Sequence, residues 1–299
     1  MDRFQFELLT YLEREGKGCY SIRTLSDNLC ISGSAVTDAL TVLENQGLIA
    51  RAADVLYITD AGLSALEPYR VKKAIIAGAG FGSRMMPATA DRPKPMVTVN
   101  GVRIIDTLLD ALVAVGIKDI TIVGGYKFEK LKELLDKYPF LQFLNNTKYE
   151  TENNISSAIL AKDLFNGGCY FCEADLYITN PGIIKKYQYR TNILGSWSIE
   201  TDDWCFKIVD GFIDDYKKGG NFCYNYYGIS FWTDEDSKRL INDWVELYNG
   251  DGGKDLFWEF PALIYKKENY KVEIRPCNKQ DIMEIDNYYE LQQLDPSYK

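Results

Sequence analysis

The chain has no histidine among its 299 residues. This absence excludes serine or cysteine nucleophiles that imidazole activates, and it excludes histidine as a general base near neutral pH. Any chemistry must therefore need no base or must rely on a carboxylate. A reaction whose nucleophile is already an anion, such as a phosphate monoester attacking another phosphate, satisfies this condition.

A disulfide framework is also lacking, because the seven cysteines are odd in number and irregularly spaced. Cys169 and Cys172 form one C-x-x-C pair, but no second pair and no histidine completes a zinc site. We expect both thiols to lie in a buried strand.

Long apolar runs and a signal-peptide profile are absent too, so we expect a cytoplasmic protein that does not insert into membranes. Hydrophobic residues make up 46% of the chain and charged residues 26%, which suits ordinary soluble cores. The length of 299 residues predicts about two domains.

The first seventy residues combine helical patterns with a hairpin pattern. Short apolar runs at 48–50 and 55–58 predict the hairpin. Three earlier segments carry apolar residues at helical spacing: Phe4, Leu8, Leu9 and Leu12; Ile22, Leu25 and Leu29; and Val36, Leu40 and Leu43. This order resembles the winged helix of MarR-type regulators. We therefore assign residues 1–70 to a winged-helix domain and residues 71–299 to a second, catalytic domain.

Basic residues are scarce in this first domain. Residues 1–70 carry six basic and ten acidic side chains, a net charge of −4. The segment in the place of a recognition helix, residues 34–46, has no lysine or arginine. Because DNA readers neutralise phosphates with such side chains, the composition argues against DNA binding. It favours a module for protein interaction or dimerisation.

A glycine loop with two cations is the most informative feature of the second domain. The apolar run 74–77 predicts a buried strand, and glycines follow it at 78, 80 and 82. Glycines let successive backbone N–H groups approach a phosphate closely. Arg84 and Lys94 then add full positive charges. The segment predicts an anion site, and the anion we expect is a nucleoside triphosphate.

The spacing in this loop decides among the known phosphate motifs. A Walker A motif is excluded, because no Gly-Lys-Ser/Thr follows. A dinucleotide fingerprint fits poorly, because Ser83 stands at the third glycine position. The pattern Gly80-x-Gly82-x-Arg84, nine residues, then Lys94-Pro95 resembles the signature of the nucleotidyltransferases that make NDP-sugars and CDP-alcohols.

From residue 72 onward, buried strands alternate with amphipathic helices. This alternation predicts an α/β, Rossmann-like fold with a mainly parallel sheet. The Gly80 loop, residues 124–126 and residues 173–175 each follow a strand, so they should converge on one crevice. Residues 193–227 are aromatic-rich and predict a meander or a lid beside that crevice.

Asp175 and Asp286 are the predicted metal ligands. Each ends an apolar run, where a carboxylate can project from a strand end into the crevice. Mg²⁺ takes one or two carboxylates together with phosphate oxygens and water, so this pair would suffice. Solvated acids at strand ends are the alternative interpretation.

Residues 73–295 resemble bacterial phosphocholine cytidylyltransferases of the LicC type. The matching segments, in chain order, are the loop from Gly80 to Pro95, Gly125-Tyr126, Asn153-Asn154 with Ser157, Ala174-Asp175, Trp204, residues 227–232, residues 255–258 and residues 284–286. Two positions depart from the pattern: Gly78 replaces an alanine, and Glu173 replaces an aspartate.

The resemblance implies transfer of CMP from CTP to phosphocholine, with Mg²⁺ held by Asp175 and Asp286. Lys94, Arg84 and Asp175 would be the catalytic residues, with Lys94 at the α-phosphate and Arg84 at the β- and γ-phosphates. The remaining nucleotide contacts would be Ala79, Gly80, Gly82 and Ser83 at the phosphates, and Gly125, Tyr126, Asn154 and Ser157 near the base and ribose. Some relatives continue into a choline-kinase-like domain, so a fused or partner kinase is implied, and a homodimer stays open.

Acceptor recognition would need aromatic faces and carboxylates, because a quaternary ammonium has no N–H group to donate. The candidates are Trp204, Tyr227 and Trp258, with Asp203 and Asp255. The same aromatics would also suit a hydrophobic core. An acidic, aromatic pocket would equally accept a primary amine, so phosphoethanolamine and 2-aminoethylphosphonate remain alternatives. A nucleotide-sensing DNA-binding regulator is the alternative from another class.

Overall fold

In the computed structural model, which describes residues 1–299, the chain divides into two units. Unit 1 comprises Met1–Arg70 and the short segment Tyr187–Tyr189. Unit 2 comprises Val71–Lys186 and Arg190–Lys299. No helix is long and apolar enough to cross a lipid bilayer.

Unit 1 contains four helices and one hairpin. Its elements are α1 (Arg3–Glu15), α2 (Ile22–Leu29), α3 (Gly33–Asn45), β1 (Ile49–Ala52), β2 (Val55–Ile58) and α4 (Asp60–Leu66). Ser32 accepts a hydrogen bond from the Ala35 amide and Thr59 accepts one from the Gly62 amide, so both cap the helices that follow them. The predicted helices and hairpin are present, and the winged-helix assignment stays a prediction.

Unit 2 is built around a seven-stranded sheet in the order β10-β12-β11-β8-β3-β6-β7. Its strands are β3 (Lys73–Gly78), β4 (Thr98–Val99), β5 (Val102–Arg103), β6 (Asp119–Gly124), β7 (Gln142–Asn145), β8 (Cys169–Glu173), β9 (Leu176–Ile178), β10 (Asn192–Val209), β11 (Phe212–Trp232), β12 (Glu273–Cys277) and β13 (Ile282–Glu284). Its helices are α5 (Ile104–Ala114), α6 (Phe128–Leu131), α7 (Ile155–Ala161), α8 (Asp234–Tyr248) and α9 (Tyr288–Leu294).

Strands β8, β3, β6 and β7 run parallel and form the middle and one edge of the sheet. Side chains of β3 alternate between two cores: Ala74 and Ile76 face one, and Ile75 and Ala77 face the other. A strand buried on both faces must be apolar throughout, which explains the continuous run in the sequence. The prediction of an α/β fold with a mainly parallel sheet is confirmed.

The aromatic-rich segment forms an antiparallel part of the central sheet. Residues 193–227 fold back within β10 and β11, since Asn225 pairs with both Ser196 and Cys205. This arrangement of successive antiparallel stretches agrees with the predicted meander. The first residues of β10 also pair in parallel with β12. The backbone hydrogen bonds of the segment are thus satisfied inside the sheet.

The C-x-x-C pair lies in β8, as predicted. Cys169 and Cys172 are free thiols with no exposed surface. Burial raises the pKa of Cys172 to about 12, so its thiol stays protonated and unreactive.

Candidate active site

A cavity of about 490 Å³ opens at the carboxyl ends of the parallel strands. The loop after β3 forms one wall, residues after β7 form another, and Glu173, Ala174 and Asp175 after β8 lie between them. Since parallel strands end at the same edge, the sheet topology brings these segments together. The Gly80 loop and residues 173–175 converge on one crevice as predicted, whereas residues 124–126 do not line it.

Two glycines of the loop, Gly78 and Gly82, lie closely against neighbouring residues. Gly82 has φ +62°, and a Cβ there would lie 3.0 Å from the Cβ of Lys94. The Gly82 carbonyl accepts hydrogen bonds from the Met85 amide and from the Thr89 hydroxyl. Only glycine combines this conformation with so close an approach to the lysine.

Lys94 is buried beneath this loop, with 8% of its surface exposed. Its Nζ donates to Asp175 Oδ2 at 2.9 Å and to Asp286 Oδ1 at 3.2 Å. Burial opposes the positive charge, but the two aspartates outweigh it and raise the pKa of Lys94 above its usual value. Arg84 reaches the same Asp286 oxygen at 3.1 Å. Two cations therefore meet two carboxylates at the cavity floor.

A third carboxylate, Glu284, joins this cluster. Asp175, Glu284 and Asp286 each offer an oxygen within 4.8 Å of the others. Burial and the two aspartates raise the pKa of Glu284 to about 8, although Lys94 opposes the shift. Asp175 Oδ1 is buried without a hydrogen-bond partner. Three hard oxygen donors, one of them unsatisfied, suit a divalent cation such as Mg²⁺.

Local strand pairing explains how residues so distant in sequence meet. Asp175 directly precedes β9, Asp286 is the second residue after the end of β13, and these two strands pair antiparallel. Glu284 lies opposite Leu176, next to Asp175. The sequence reasoning missed Glu284, although its spacing of two residues from Asp286 places both side chains on one face of an extended segment.

The predicted nucleotide contacts divide into two groups. Asn154 and Ser157 line the cavity, and the Trp258 amide donates to Asn154 Oδ1 at 2.9 Å. Gly125 and Tyr126 lie behind the glycine loop instead. The Tyr126 amide donates to the Ala79 carbonyl at 2.9 Å, so this pair supports the loop rather than lining the cavity.

None of the five predicted acceptor residues lines the cavity. Trp258 is fully buried with its ring centroid 4.4 Å from that of Phe171, and Tyr227 is buried with its hydroxyl 3.2 Å from Ser196 Oγ. Large aromatic side chains gain more from complete burial than from a cavity wall, which corrects this part of the prediction.

The other three predicted acceptor residues lie nearer the surface. Asp203 and Asp255 are exposed. Trp204 stacks on Tyr216 at 4.8 Å between ring centroids and contacts Phe257 at 6.1 Å. Phe257 itself lines the cavity, so Trp204 reaches the site only through this neighbour.

Two glutamates, the half-buried Glu173 and the buried Glu259, lie beside this aromatic group. Glu173 lines the cavity and accepts hydrogen bonds from Trp258 Nε1 at 3.2 Å and from the Tyr226 hydroxyl at 3.4 Å. Glu259 accepts from the Tyr216 hydroxyl at 3.0 Å, while its Oε2 has no partner. Burial raises the pKa of both carboxyl groups, that of Glu259 to about 7.

The fold and this cavity define an α/β protein in which a glycine loop and two cations adjoin an acidic cluster, and comparison with known proteins places it among nucleotide-transferring enzymes. A family model described as "Nucleotidyl transferase" matches residues 73–191. A 2-aminoethylphosphonate cytidylyltransferase from Lancefieldella rimae is 37% identical over 228 residues, which cover 75% of this chain and 92% of that protein. The chain belongs to the nucleotidyltransferase family.

Two further comparisons concern Streptococcus pneumoniae. Its choline-phosphate cytidylyltransferase is 29% identical over 237 residues, which cover 76% of this chain and 98% of that protein. The solved structure of its CTP:phosphocholine cytidylyltransferase matches with a TM-score of 0.71 and 27% identity, covering 77% of this chain and all (100%) of that one. The likeness supports the fold prediction for unit 2.

Proposed function

We propose that this protein transfers CMP from CTP to a small acceptor that carries a phosphate or phosphonate and an amino group, releasing pyrophosphate. One observation carries the proposal: Lys94 is fixed beneath the glycine loop by Asp175 and Asp286. The sequence alone favoured phosphocholine as acceptor. We now place 2-aminoethylphosphonate first, because the relative with that activity is 37% identical over 92% of its length.

The proposed reaction needs no protein base. An oxygen of the acceptor's phosphonate or phosphate dianion attacks the α-phosphorus of CTP, and the bond from that phosphorus to the bridging oxygen of the β-phosphate breaks. Lys94 would neutralise charge at the α-phosphate, while Arg84 and the loop amides would hold the β- and γ-phosphates. The absence of histidine is consistent with this scheme.

Asp175 and Asp286, joined by Glu284, are the residues that would hold Mg²⁺. When bound, the cation would neutralise phosphate charge and help to orient the triphosphate. The unsatisfied Asp175 Oδ1 supports this assignment, since a buried carboxylate oxygen without a donor is costly.

The acceptor would lie against Glu173 and Phe257, two cavity residues that contact Trp258 and Trp204 respectively. A primary ammonium can donate hydrogen bonds to a carboxylate, whereas a quaternary ammonium can only approach it without hydrogen bonding. A bound primary ammonium would stabilise the ionised form of Glu173, whose pKa burial raises, and could donate to it, so Glu173 favours a primary amine. Phosphocholine is the second candidate acceptor, because the phosphocholine cytidylyltransferase of Streptococcus pneumoniae has a similar fold and is 27% identical to this chain.

Pyrophosphate release would test the proposal directly. The purified protein would be supplied with Mg²⁺ and CTP, together with 2-aminoethylphosphonate, phosphoethanolamine, phosphocholine or glucose 1-phosphate in separate reactions. UTP would replace CTP as the control. Release with CTP and an amino-phosphonate or amino-phosphate supports the proposal, and the ranking of acceptors identifies the substrate. No release with any of the four acceptors would contradict it.

For unit 1 we propose a winged-helix-like module that binds protein, including a second copy of this chain, rather than DNA. Its acidic composition and the lack of basic residues in α3 support this assignment. Sedimentation velocity of the full chain would test the dimer. If the chain is a monomer at all concentrations, the partner of unit 1 must be a different protein.

A further inference from the structure

Glu152 is a carboxylate in the cavity wall to which the proposed reaction gives no role. It lies on the segment between β7 and α7, and its side chain is only 7% exposed. The Tyr248 hydroxyl donates to Oε2 at 2.7 Å. Lys148 and Lys254 lie 3.6 Å from Oε1, too far for good hydrogen bonds. The carboxylate is thus held in place with acceptor capacity to spare.

Two aromatic rings flank the same wall. Tyr149 lines the cavity, and the Phe81 ring lies 5.0 Å from it between centroids. Phe81 belongs to the glycine loop and is 43% exposed, which is unusual for a phenyl ring beside a polar cavity. Flat aromatic faces of this kind stack on nucleobases, each contributing about 1–3 kcal/mol.

The other walls of the cavity already have occupants in the proposed reaction. The loop, Arg84 and Lys94 would bind the phosphates, and Glu173 and Phe257 would face the acceptor. The wall that follows β7, with Tyr149, Glu152, Asn154 and Ser157, is left for the base and ribose of the nucleotide.

We propose that Glu152 selects cytosine, an inference that rests on the proposed function. An ionised carboxylate only accepts hydrogen bonds, so it can pair with the exocyclic amine of cytosine. Uracil presents a carbonyl oxygen at the same position, and two acceptors facing each other repel. Phe81 and Tyr149 supply the stacking surface, which does not distinguish the two pyrimidines.

Equilibrium binding of the nucleotide alone tests this assignment without any acceptor. Calorimetry with Mg²⁺ would compare CTP and UTP for the wild-type protein and for Glu152→Gln, whose amide can donate to uracil. We expect the wild type to prefer CTP by at least about tenfold, the discrimination that one good base contact gives, and the variant to lose most of that preference. Glu268→Gln, an exposed glutamate that does not line the cavity, is the control and should keep it.

Further variants separate the roles. Glu152→Met removes the acceptor at similar size and should also lose the preference, which covers the case in which the glutamine variant does not fold. Tyr149→Ala should weaken CTP and UTP binding about equally, by about tenfold for one lost stacking contact.

Equal binding of CTP and UTP by the wild type would overturn the inference, and so would a preference that survives in both Glu152 variants. A preference that depends on Glu152, in a protein that releases no pyrophosphate with any acceptor, would support the inference and contradict the proposed function. The two proposals can therefore fail separately.

Discussion

Lys94 is the residue on which the proposed chemistry depends most. Replacing it with alanine should lower kcat by about 10²–10³-fold, because one preorganised donor at the reacting phosphate is lost. Steady-state pyrophosphate release would measure the effect, and far-UV circular dichroism would show whether the fold survives. Lys130→Ala, an exposed lysine outside the cavity, is the control. Near-normal turnover in the Lys94 variant would rule out the catalytic role.

Glu259 should make the stability of the protein depend on pH. Burial raises its pKa from the usual 4.5 to about 7, so the folded state binds this proton more tightly than the unfolded state does. The free energy of unfolding therefore decreases as the pH rises from about 4.5 through 7. Glu259→Gln keeps an acceptor for the Tyr216 hydroxyl and removes the titration. It should be more stable than the wild type above pH 7, by up to about 3 kcal/mol.

Chemical denaturation at pH 5 and at pH 8 would measure this difference. The exposed Glu268→Gln variant should show the same pH dependence as the wild type. An unchanged pH dependence in Glu259→Gln would mean that this carboxyl group does not titrate abnormally.

At the scale of elements, the β9–β13 pair and the start of α9 hold the acidic cluster together. Glu290, in the first turn of α9, accepts the Asp286 amide at 2.7 Å and the Asn287 side-chain amide at 2.8 Å. Glu290→Ala frees the backbone of Asp286 and removes a capping interaction. We expect about tenfold lower turnover, and a loss of about 1 kcal/mol in stability.

Glu290→Gln has a single carbonyl oxygen, so it can keep the bond from the Asp286 amide but loses the bond from the Asn287 side chain. It should keep most of the turnover. Comparing the two variants in pyrophosphate release and thermal unfolding shows whether the bond to the Asp286 backbone matters. Equal loss in both would assign the effect to the charge of Glu290 or to its bond with Asn287 instead.

The sequence predicted much of the cavity because several candidate side chains follow strands. Gly80, Asp175 and Asp286 were found in this way, Lys94 was found by its spacing from the glycine loop, and the structure brings all four together. The residues proposed to face the acceptor could not be predicted in this way. The spacing of aromatic residues along β11 or near Trp258 does not tell whether a ring faces a core or a cavity. Packing decides that, and packing involves strands far apart in the chain.

At the scale of the whole molecule, charge limits the partners. The chain carries a net charge of −9. We expect no binding to duplex DNA tighter than about 10⁻⁴ M at physiological salt, the weak end of non-specific binding. Fluorescence anisotropy with a labelled duplex at several salt concentrations would measure this. Tight, salt-dependent binding would instead support the hypothesis that the protein is a DNA-binding regulator.

Unit 1 draws three of its residues from deep within the sequence of unit 2. Tyr189 stacks on Tyr69 at 5.6 Å and lies 5.2 Å from Phe6, and the Gln188 amide donates to the Tyr69 carbonyl. A fragment that stops at Arg70 would therefore lack part of its own aromatic core. Swapping this unit between enzymes would mean transplanting an internal loop along with the amino-terminal segment, so a simple gene fusion would not move it intact.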